Sequence, residues 1–230
     1  MAGLIDIVKE DIISYLNQGH LEILFNERDF QMHLATHLKD SGHYDDVDLE
    51  YFVPNSLLHG YKEIWDTELR LDILVRKGTE YCPVELKYKT KKIEAALMRF
   101  GEQVDNVVVV KNQGAQDLGM YDFWKDVKRV EMVKERFSNV KAGLAVFLTN
   151  DKAYKTPSRE TSNNREFCML EGWNLRSKHW QRETSITQSR KGFNLSKDYY
   201  LNWAETLLGE HTFYYCIAAL VSGEKISNSV

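Results

Sequence analysis

Two alternating stretches joined by a tight turn constrain the fold of this chain more than any other feature. Every second residue is apolar from 68 to 76, and the same alternation recurs from 81 to 89. Alternation with a period of two indicates strands that are each buried on one face. The intervening Gly78-Thr79 suits a two-residue type II′ turn, which requires glycine at its first position. The sequence therefore predicts an antiparallel hairpin, in which Pro83 must face an unpaired side or a bulge because it has no amide hydrogen. The apolar residues predicted to share the buried face of the first strand are Leu69, Leu71, Ile73 and Val75.

The hairpin brings two acids together. With residues 78 and 79 as the turn, Asp72 falls directly opposite Glu85, and Arg70 falls opposite Lys87. Opposed residues share a face with Cβ atoms about 5 Å apart, and two carboxylates this close repel each other unless a cation lies between them. Carboxylate oxygens completed by water and a substrate phosphate make a typical Mg²⁺ site. Lys87 lies on the same face, where its ammonium can hold or deprotonate a water and stabilise charge that builds on a phosphate.

A third acid lies at the start of a predicted helix. Asn26 can cap the free amides of this helix, and its buried stripe begins with Phe30 and Leu34. Glu27 precedes these two residues by three and seven positions, so it occupies the core-facing stripe, where a carboxylate without a partner is unfavourable. Gln31 follows one turn later on the same face. A helix packed on the sheet would thus bring Glu27 over the two acids of the hairpin.

The remaining patterns predict a mixed sheet flanked by helices. The order helix, three strands, helix, strand indicates an α/β fold of the α+β kind with a central mixed sheet. Residues 151–196 are polar and irregular. The segments with regular patterns are 4–16 and 114–137 for helices, 47–53 and 142–148 for strands, and 213–221 for a strand or a helix, and 107–110 is a short apolar run.

A short motif spans the hairpin and the capped helix. Leu71-Asp72, twelve intervening residues and Glu85-Leu86-Lys87 follow a helix that bears Glu27. This arrangement resembles the PD-(D/E)XK nuclease superfamily, with Leu71 in place of the family's proline. The resemblance implies a restriction-endonuclease-like core at about 27–149, within a single domain over 1–230 that has a C-terminal elaboration from about 150. By resemblance, Asp72 and Glu85 bind Mg²⁺ or Mn²⁺, Lys87 assists the attacking water, and Glu27 completes the catalytic set.

The resemblance also implies an activity. The chain is expected to be a metal-dependent endonuclease that hydrolyses phosphodiester bonds in nucleic acid, with DNA favoured over RNA. Many such nucleases dimerise, so a homodimer is a further expectation. The alternative is a catalytically inactive module that keeps the nuclease fold and binds nucleic acid or a partner protein. An intact set of Asp72, Glu85 and Lys87 favours the enzyme.

Residues around the proposed site predict contacts to substrate. Lys89, Lys91 and Lys92 follow Lys87 closely and form a compact positive patch that suits a phosphate backbone. Gln31, on the face of the helix that carries Glu27, joins this set. Some members of the superfamily carry a glutamine and a tyrosine on the following helix. By resemblance, Gln116 and Tyr121 are candidates for these positions, although their spacing is one residue longer than usual.

Two further patterns have structural explanations that we prefer. Aromatic and basic residues interleave between Trp173 and Lys191, as on surfaces that bind single strands, but loop packing by Trp173 and Trp180 is the favoured interpretation. His33 and His37 lie one helical turn apart, as in a zinc pair. No glutamate occupies the place of a metalloprotease base between them, so an ordinary surface or core role is favoured.

Composition and charge set the outer limits. With 43% hydrophobic residues in 230, the chain can bury a substantial core, and a net charge of −4 means that any polyanion site must be local. Neither a secretion signal nor a run of about 18 apolar residues is present, so we expect a cytoplasmic chain without a membrane partner. Cys82, Cys168 and Cys216 suit a reducing compartment and are expected to be small buried hydrophobes. No Gly-rich phosphate loop or nucleophile elbow supports nucleotide hydrolysis or acyl transfer.

Overall fold

A computed structural model describes residues 2–19 and 21–220 of the chain. The helices are α1 (Leu4–Leu16), α2 (Glu27–Asp40), α3 (Tyr61–Ile64), α4 (Gln116–Arg136) and α5 (Ser185–Ser189). The strands are β1 (Asp46–Val53), β2 (Leu69–Lys77), β3 (Glu80–Lys89), β4 (Ile93–Arg99), β5 (Glu102–Val110), β6 (Gly143–Thr149), β7 (Gly172–Asn174), β8 (Ser177–Lys178), β9 (Phe193–Asn194), β10 (Tyr199–Leu201), β11 (Ala204–Leu208) and β12 (His211–Leu220).

Six strands form a mixed central sheet in the order β1-β2-β3-β6-β12-β11. β3 and β6 run parallel, and the other neighbouring strands are antiparallel. A parallel pair needs a long crossover connection, which here contains α4. α1 and α2 pack on one face of the sheet and α4 packs on the other. The expected mixed sheet flanked by helices is therefore confirmed.

The hairpin formed by β2 and β3 keeps its predicted register from the turn as far as the pair Ile73 with Val84. Gly78 adopts a φ of 59°, which is the left-handed conformation that the first position of a type II′ turn requires. Pro83 directly precedes the ladder between β3 and β6, which begins at Val84, so its missing amide removes no bond from that ladder.

Each face of the sheet has its own hydrophobic core. On one face, α1 and α2 pack against Val84 and Leu86 of β3. On the other face, Trp124 of α4 packs with aromatic residues of the C-terminal part. Because side chains alternate along a strand, Glu85 and Lys87 project toward α4. β6 is buried along its whole length, as the continuous apolar run predicted.

Two regions differ from the expectations. β4 and β5 form a separate two-stranded sheet, where the sequence predicts only an apolar run at 107–110. The segment expected to be irregular contains α5 and short strands, of which β7 pairs with β10 and β8 with β9. The last apolar run is a strand, β12, and residue 221 lies outside the described residues. Within residues 2–19 and 21–220, no helix combines the length and apolar character needed to cross a bilayer.

Candidate active site

Strand β2 changes face at Asp72. Leu71 packs in the core beside α4, whereas Ile73 packs in the opposite core. The expectation that the four alternate apolar residues of β2 share one face is therefore wrong, because alternation is interrupted between these two. The partner strand is distorted at the same level. Glu50, between the β1 residues that pair with Leu71 and Ile73, has a left-handed φ of 51°. Such local irregularities commonly redirect a side chain next to a functional site.

Gln31 holds this distortion in place. Its side chain is 4% exposed, and Nε2 donates to the carbonyl of Asp72 at 2.6 Å and to Glu50 Oε1 at 3.1 Å. The residue was predicted to contact substrate. In the structure, its amide nitrogen ties α2 to the point where β2 changes face, so it positions Asp72.

A half-buried acid, Asp72, and a buried one, Glu85, meet just beyond the last pair of the β2–β3 ladder. Asp72 and Glu85 are the next residues in register after Ile73 and Val84. Asp72 Oδ2 accepts a hydrogen bond of 2.6 Å from the amide of Leu86. Glu85 is only 3% exposed, and within the described part of the chain its Oε1 has no hydrogen-bond partner. A buried carboxylate oxygen without a hydrogen-bond donor is unfavourable, so it marks a position where a bound ligand would be stabilising.

Burial favours the protonated forms of both acids. The pKa of Asp72 is raised to about 6, chiefly by burial and also by the carboxylate of Asp126, although Lys87, the Leu86 amide and a hydrogen bond with the Glu85 side chain oppose the rise. Burial likewise raises the pKa of Glu85 well above its usual range, and the charges of Asp126 and Asp72 add to the effect. A cation shared by these carboxylates would remove the repulsion and restore the charged forms.

Lys87 lies among the acids. Its Nζ is 3.0 Å from Asp126 Oδ2 and 3.4 Å from Glu27 Oε1, and it donates to the Leu86 carbonyl at 3.1 Å. Burial works against the charge on this lysine, but Asp126, Glu27, Asp72 and Glu85 together raise its pKa well above the usual value. Lys87 is therefore an ammonium group in the cluster.

Glu27 reaches the site from α2, as the sequence predicts for the first turn of this helix. Asn26 caps the helix by accepting a hydrogen bond from the Asp29 amide at 3.0 Å. Glu27 Oε2 accepts a hydrogen bond of 2.8 Å from the amide of Tyr88, and its Oε1 pairs with Lys87. The side chain therefore joins α2 to the end of β3 and adds a negative charge on the outer side of Lys87.

Asp126 and Arg129 of α4 complete the cluster. Neither residue is among those predicted from the sequence. Asp126 is 3% exposed, and the ion pair of its Oδ2 with Lys87 lacks hydrogen-bond geometry. Arg129 Nη1 lies 3.4 Å from Asp126 Oδ1. A signal was present in the sequence, because Asp126 lies three residues after Phe123 and four before Val130, both fully buried. A carboxylate on the buried stripe of a helix is the same feature that singled out Glu27.

The cluster has an excess of negative charge that fits a divalent cation. It combines four acids with the two cations Lys87 and Arg129, which leaves a formal charge of −2 when all are ionised. Hard oxygen ligands of this kind suit Mg²⁺ or Mn²⁺, and Asp72 and Glu85 are the residues that would hold the ion. Among the described residues, no three His, Cys, Asp or Glu side chains already converge as a complete metal site. The cations inside the cluster are the Lys87 ammonium and the Arg129 guanidinium.

The lysines predicted to contact phosphate are each paired with an acid. Lys89 Nζ lies 4.0 Å from Asp122, Lys91 Nζ lies 2.9 Å from Asp151, and Lys92 Nζ lies 2.5 Å from Glu94. The predicted positive patch is therefore largely balanced by neighbouring carboxylates. A bound phosphate would have to compete with these ion pairs, which are weak where they are exposed.

Gln116 and Tyr121, the candidates on the following helix, make their hydrogen bonds elsewhere. Gln116 Nε2 donates to Asp151 Oδ2 at 3.0 Å. Tyr121 is 1% exposed, and its hydroxyl accepts from Trp65 Nε1 at 2.9 Å and donates to the Lys191 carbonyl at 3.0 Å. Tyr121 thus packs inside an aromatic cluster, and its hydroxyl is fully engaged.

The structure also bears on the predictions for the cysteines, the two histidines and the two tryptophans. The three cysteines are buried and unbonded, as expected of small hydrophobes. His33 pairs with Asp29 at 3.4 Å, and His37 contacts Gln18 at 3.0 Å, so the two histidines face different partners. Loop packing is confirmed for Trp180, which stacks on Tyr121, and is wrong for Trp173, which is 67% exposed.

Comparison of the chain with protein-family models, with curated proteins and with solved structures gives no match. The interpretation of the cluster therefore depends on its own geometry and charge.

Proposed function

We propose that the protein is a Mg²⁺- or Mn²⁺-dependent nuclease that hydrolyses phosphodiester bonds in nucleic acid, with DNA as the favoured substrate. One observation carries the proposal. Glu85 is buried beside Asp72 and Asp126 with an unpartnered oxygen, and an ammonium lies next to all three. Stability alone does not explain such an arrangement, because buried carboxylates are normally fully hydrogen-bonded.

The residues take distinct parts in this reaction. A divalent ion held by Asp72 and Glu85 would polarise the phosphate and supply an activated water. Lys87 is held in its protonated form by the surrounding acids, so we assign it to orient the attacking water and to donate to a phosphate oxygen as charge builds there. Glu27 fixes the position of Lys87, and Gln31 fixes that of Asp72.

The test is a cleavage assay on single-stranded, duplex and branched DNA and on RNA, with Mg²⁺, Mn²⁺ or EDTA. Lys87→Ala and Asp72→Asn should each lower the cleavage rate by at least about 10²-fold, the usual effect of removing a preorganised electrostatic group. Asp48→Asn, which changes an exposed acid on β1, is the matched control. Correctly folded Lys87→Ala and Asp72→Asn proteins that cut as fast as the parent would remove the proposal.

A second candidate function has one observation in its favour. Lys87, Lys89, Lys91 and Lys92 are all paired with acids, so the cluster can persist without a metal or a phosphate. A nuclease-fold module that binds nucleic acid or a partner protein without turnover would look like this. It predicts binding that EDTA does not change and no cleavage with either metal, whereas the enzyme predicts metal-dependent products.

Location and assembly belong to the same proposal. The three unbonded buried cysteines support a cytoplasmic protein. A homodimer would let two active sites cut two strands. Sedimentation of the purified protein tests the homodimer directly, since a monomer at all concentrations would remove that part.

A further inference from the structure

The turn between β4 and β5 contains a phenylalanine that folding does not explain. Phe100 and Gly101 form the two-residue connection between the paired residues Arg99 and Glu102. Phe100 has a φ of 53° and Gly101 a φ of 85°, so both lie in the left-handed region, as in a type I′ turn. This turn favours Asn-Gly, because a bulky side chain is strained at positive φ.

The side chain of Phe100 gains nothing from packing. Its exposure is 106%, which means that it is as open as in an extended peptide. An exposed aromatic ring and a left-handed backbone each lower stability, and both occur at one residue. A local choice that conflicts with folding in two ways is a sign of function.

The hairpin contacts the segment that leads into α2, the helix that carries Glu27. The guanidinium of Arg99 lies 5.0 Å from the centre of the Phe25 ring. Phe25 is two residues before Glu27, which contacts Lys87 and the Tyr88 amide. The base of the hairpin starts directly after β3, the strand that carries Glu85 and Lys87, and its buried residues Ile93, Val109 and Val110 fix it to the core beside α2.

We propose that Phe100 is a stacking wedge for the bases of nucleic acid bound at the carboxylate cluster. This inference rests on the proposed function and adds a substrate class: strands with unpaired or easily unstacked bases next to the cleaved phosphate. Every base offers a π-face to an aromatic ring, and apolar side chains are known to insert between base steps. Stacking suits this tip better than phosphate binding does, because Arg99 is engaged by Phe25 and Glu102 is an acid.

The decisive variant is Phe100→Asn, because asparagine is the residue that the turn itself favours. Relief of the left-handed strain should raise the thermal midpoint by about 2–4 °C. Cleavage of branched or mismatched DNA should fall by about 10- to 100-fold, the usual effect of losing one stacked base contact. Phe100→Trp should retain cleavage. Val108→Ala, which changes another exposed apolar residue of the same hairpin away from the tip, should change neither quantity.

A second readout separates this inference from the proposed function. DNA with 2-aminopurine next to the branch point is mixed with the protein in Ca²⁺, and fluorescence reports unstacking of that base. A signal given by the parent and lost in Phe100→Asn supports the wedge, even if Mg²⁺ produces no cleavage and the nuclease proposal fails. Equal signals and equal cleavage for the two proteins overturn the wedge and leave the nuclease proposal intact. A parent that neither binds nor cleaves nucleic acid overturns both.

Discussion

Helix α4 carries two buried acids, five residues apart, that are treated in opposite ways. Glu131 is 8% exposed, and its Oε1 accepts hydrogen bonds from the Ser196 amide at 2.8 Å, the Ser196 hydroxyl at 2.5 Å and the Tyr199 hydroxyl at 2.8 Å. Asp126 is 3% exposed, but its Oδ2 has only an ion pair with Lys87 that lacks hydrogen-bond geometry. Both acids are buried, and they differ in how completely their oxygens are hydrogen-bonded.

The difference separates a structural carboxylate from one that is held ready for a ligand. Glu131 ties α4 to the C-terminal segment, and its donors offset the desolvation of the charge. Asp126 adds to the repulsion that raises the pKa of Asp72 and Glu85, while it stabilises the charged forms of Lys87 and Arg129. Removing the charge of Glu131 should therefore destabilise the fold, whereas removing the charge of Glu85, which burial, Asp126 and Asp72 disfavour, should be tolerated.

The largest expected effect is on the activity of the cluster. Glu85→Gln should lower the single-turnover cleavage rate by about 10³-fold, or about 4 kcal/mol, because the amide removes a charge that the bound ion needs. The same variant should leave the free energy of unfolding in EDTA unchanged or higher, since repulsion with Asp72 and Asp126 is lost. Glu80→Gln, at the exposed start of β3, serves as the control. Strong destabilisation by Glu85→Gln would erase the contrast with Glu131.

The next largest effect is on stability. Glu131→Ala should lower the free energy of unfolding by about 3 kcal/mol, because it removes a buried charge that accepts from the Ser196 amide and hydroxyl and leaves the buried Tyr199 hydroxyl without its acceptor. Urea denaturation measures this loss, and Glu135→Ala, an exposed change on the same helix, should have little effect. Cleavage by folded Glu131→Ala protein at low temperature should match the parent. Loss of cleavage without loss of stability would mean that the two acids are not of different kinds.

The sequence predicts those elements of the fold that are determined by residues close together in the chain. α1 begins and ends at the predicted residues, Asn26 caps α2, and the β2–β3 register follows from Gly78-Thr79, because each depends on neighbouring residues. The β4–β5 hairpin was missed because its register shifts twice and its turn has phenylalanine where asparagine is typical. The change of face at Asp72 was missed because it depends on Glu50, which is distant in sequence.

The site follows the same rule. Asp72, Glu85 and Lys87 meet through a two-residue turn, so their proximity could be inferred from the register. Asp126 arrives from a helix after a long crossover, and only its place on a buried stripe pointed to it. The pairing of Lys89 and Lys91 was not predictable, because Asp122 and Asp151 come from distant parts of the chain, whereas Glu94 lies only two residues after Lys92.

A smaller effect concerns pH. The pKa of Asp72 is about 6 in the folded chain and 3.8 as the reference value, so the folded chain binds a proton more tightly between these values. The contribution of Asp72 to the free energy of unfolding should then fall as pH rises from about 4 to about 6. Above that range the contribution is fully lost. The free energy of unfolding of Asp72→Asn, relative to that of the parent in EDTA, should rise by about 2 kcal/mol between pH 4 and pH 7. This is somewhat less than the free energy that corresponds to two pKa units. Urea titrations at a series of pH values measure this, with Asp48→Asn as the control. A parallel pH dependence of parent and variant would show that Asp72 is already satisfied, as Glu131 is.

The smallest predicted effect concerns Gln31, which shares features with both the structural acid Glu131 and the carboxylate cluster. Gln31 is fully used inside the fold, as the partners of Glu131 are, yet it acts on a residue of the cluster. Gln31→Ala should lower the free energy of unfolding by about 1 kcal/mol, because one good hydrogen bond to the Asp72 carbonyl is lost. It should also lower cleavage by about 10-fold, since small displacements of a metal ligand reduce rates strongly. Met32→Ala, on the exposed side of the same helix turn, is the control. The decisive comparison is the Mg²⁺ dependence. If Gln31 positions Asp72, more Mg²⁺ should recover part of the lost rate, whereas a direct contact to substrate would leave the Mg²⁺ dependence unchanged and raise KM for nucleic acid instead.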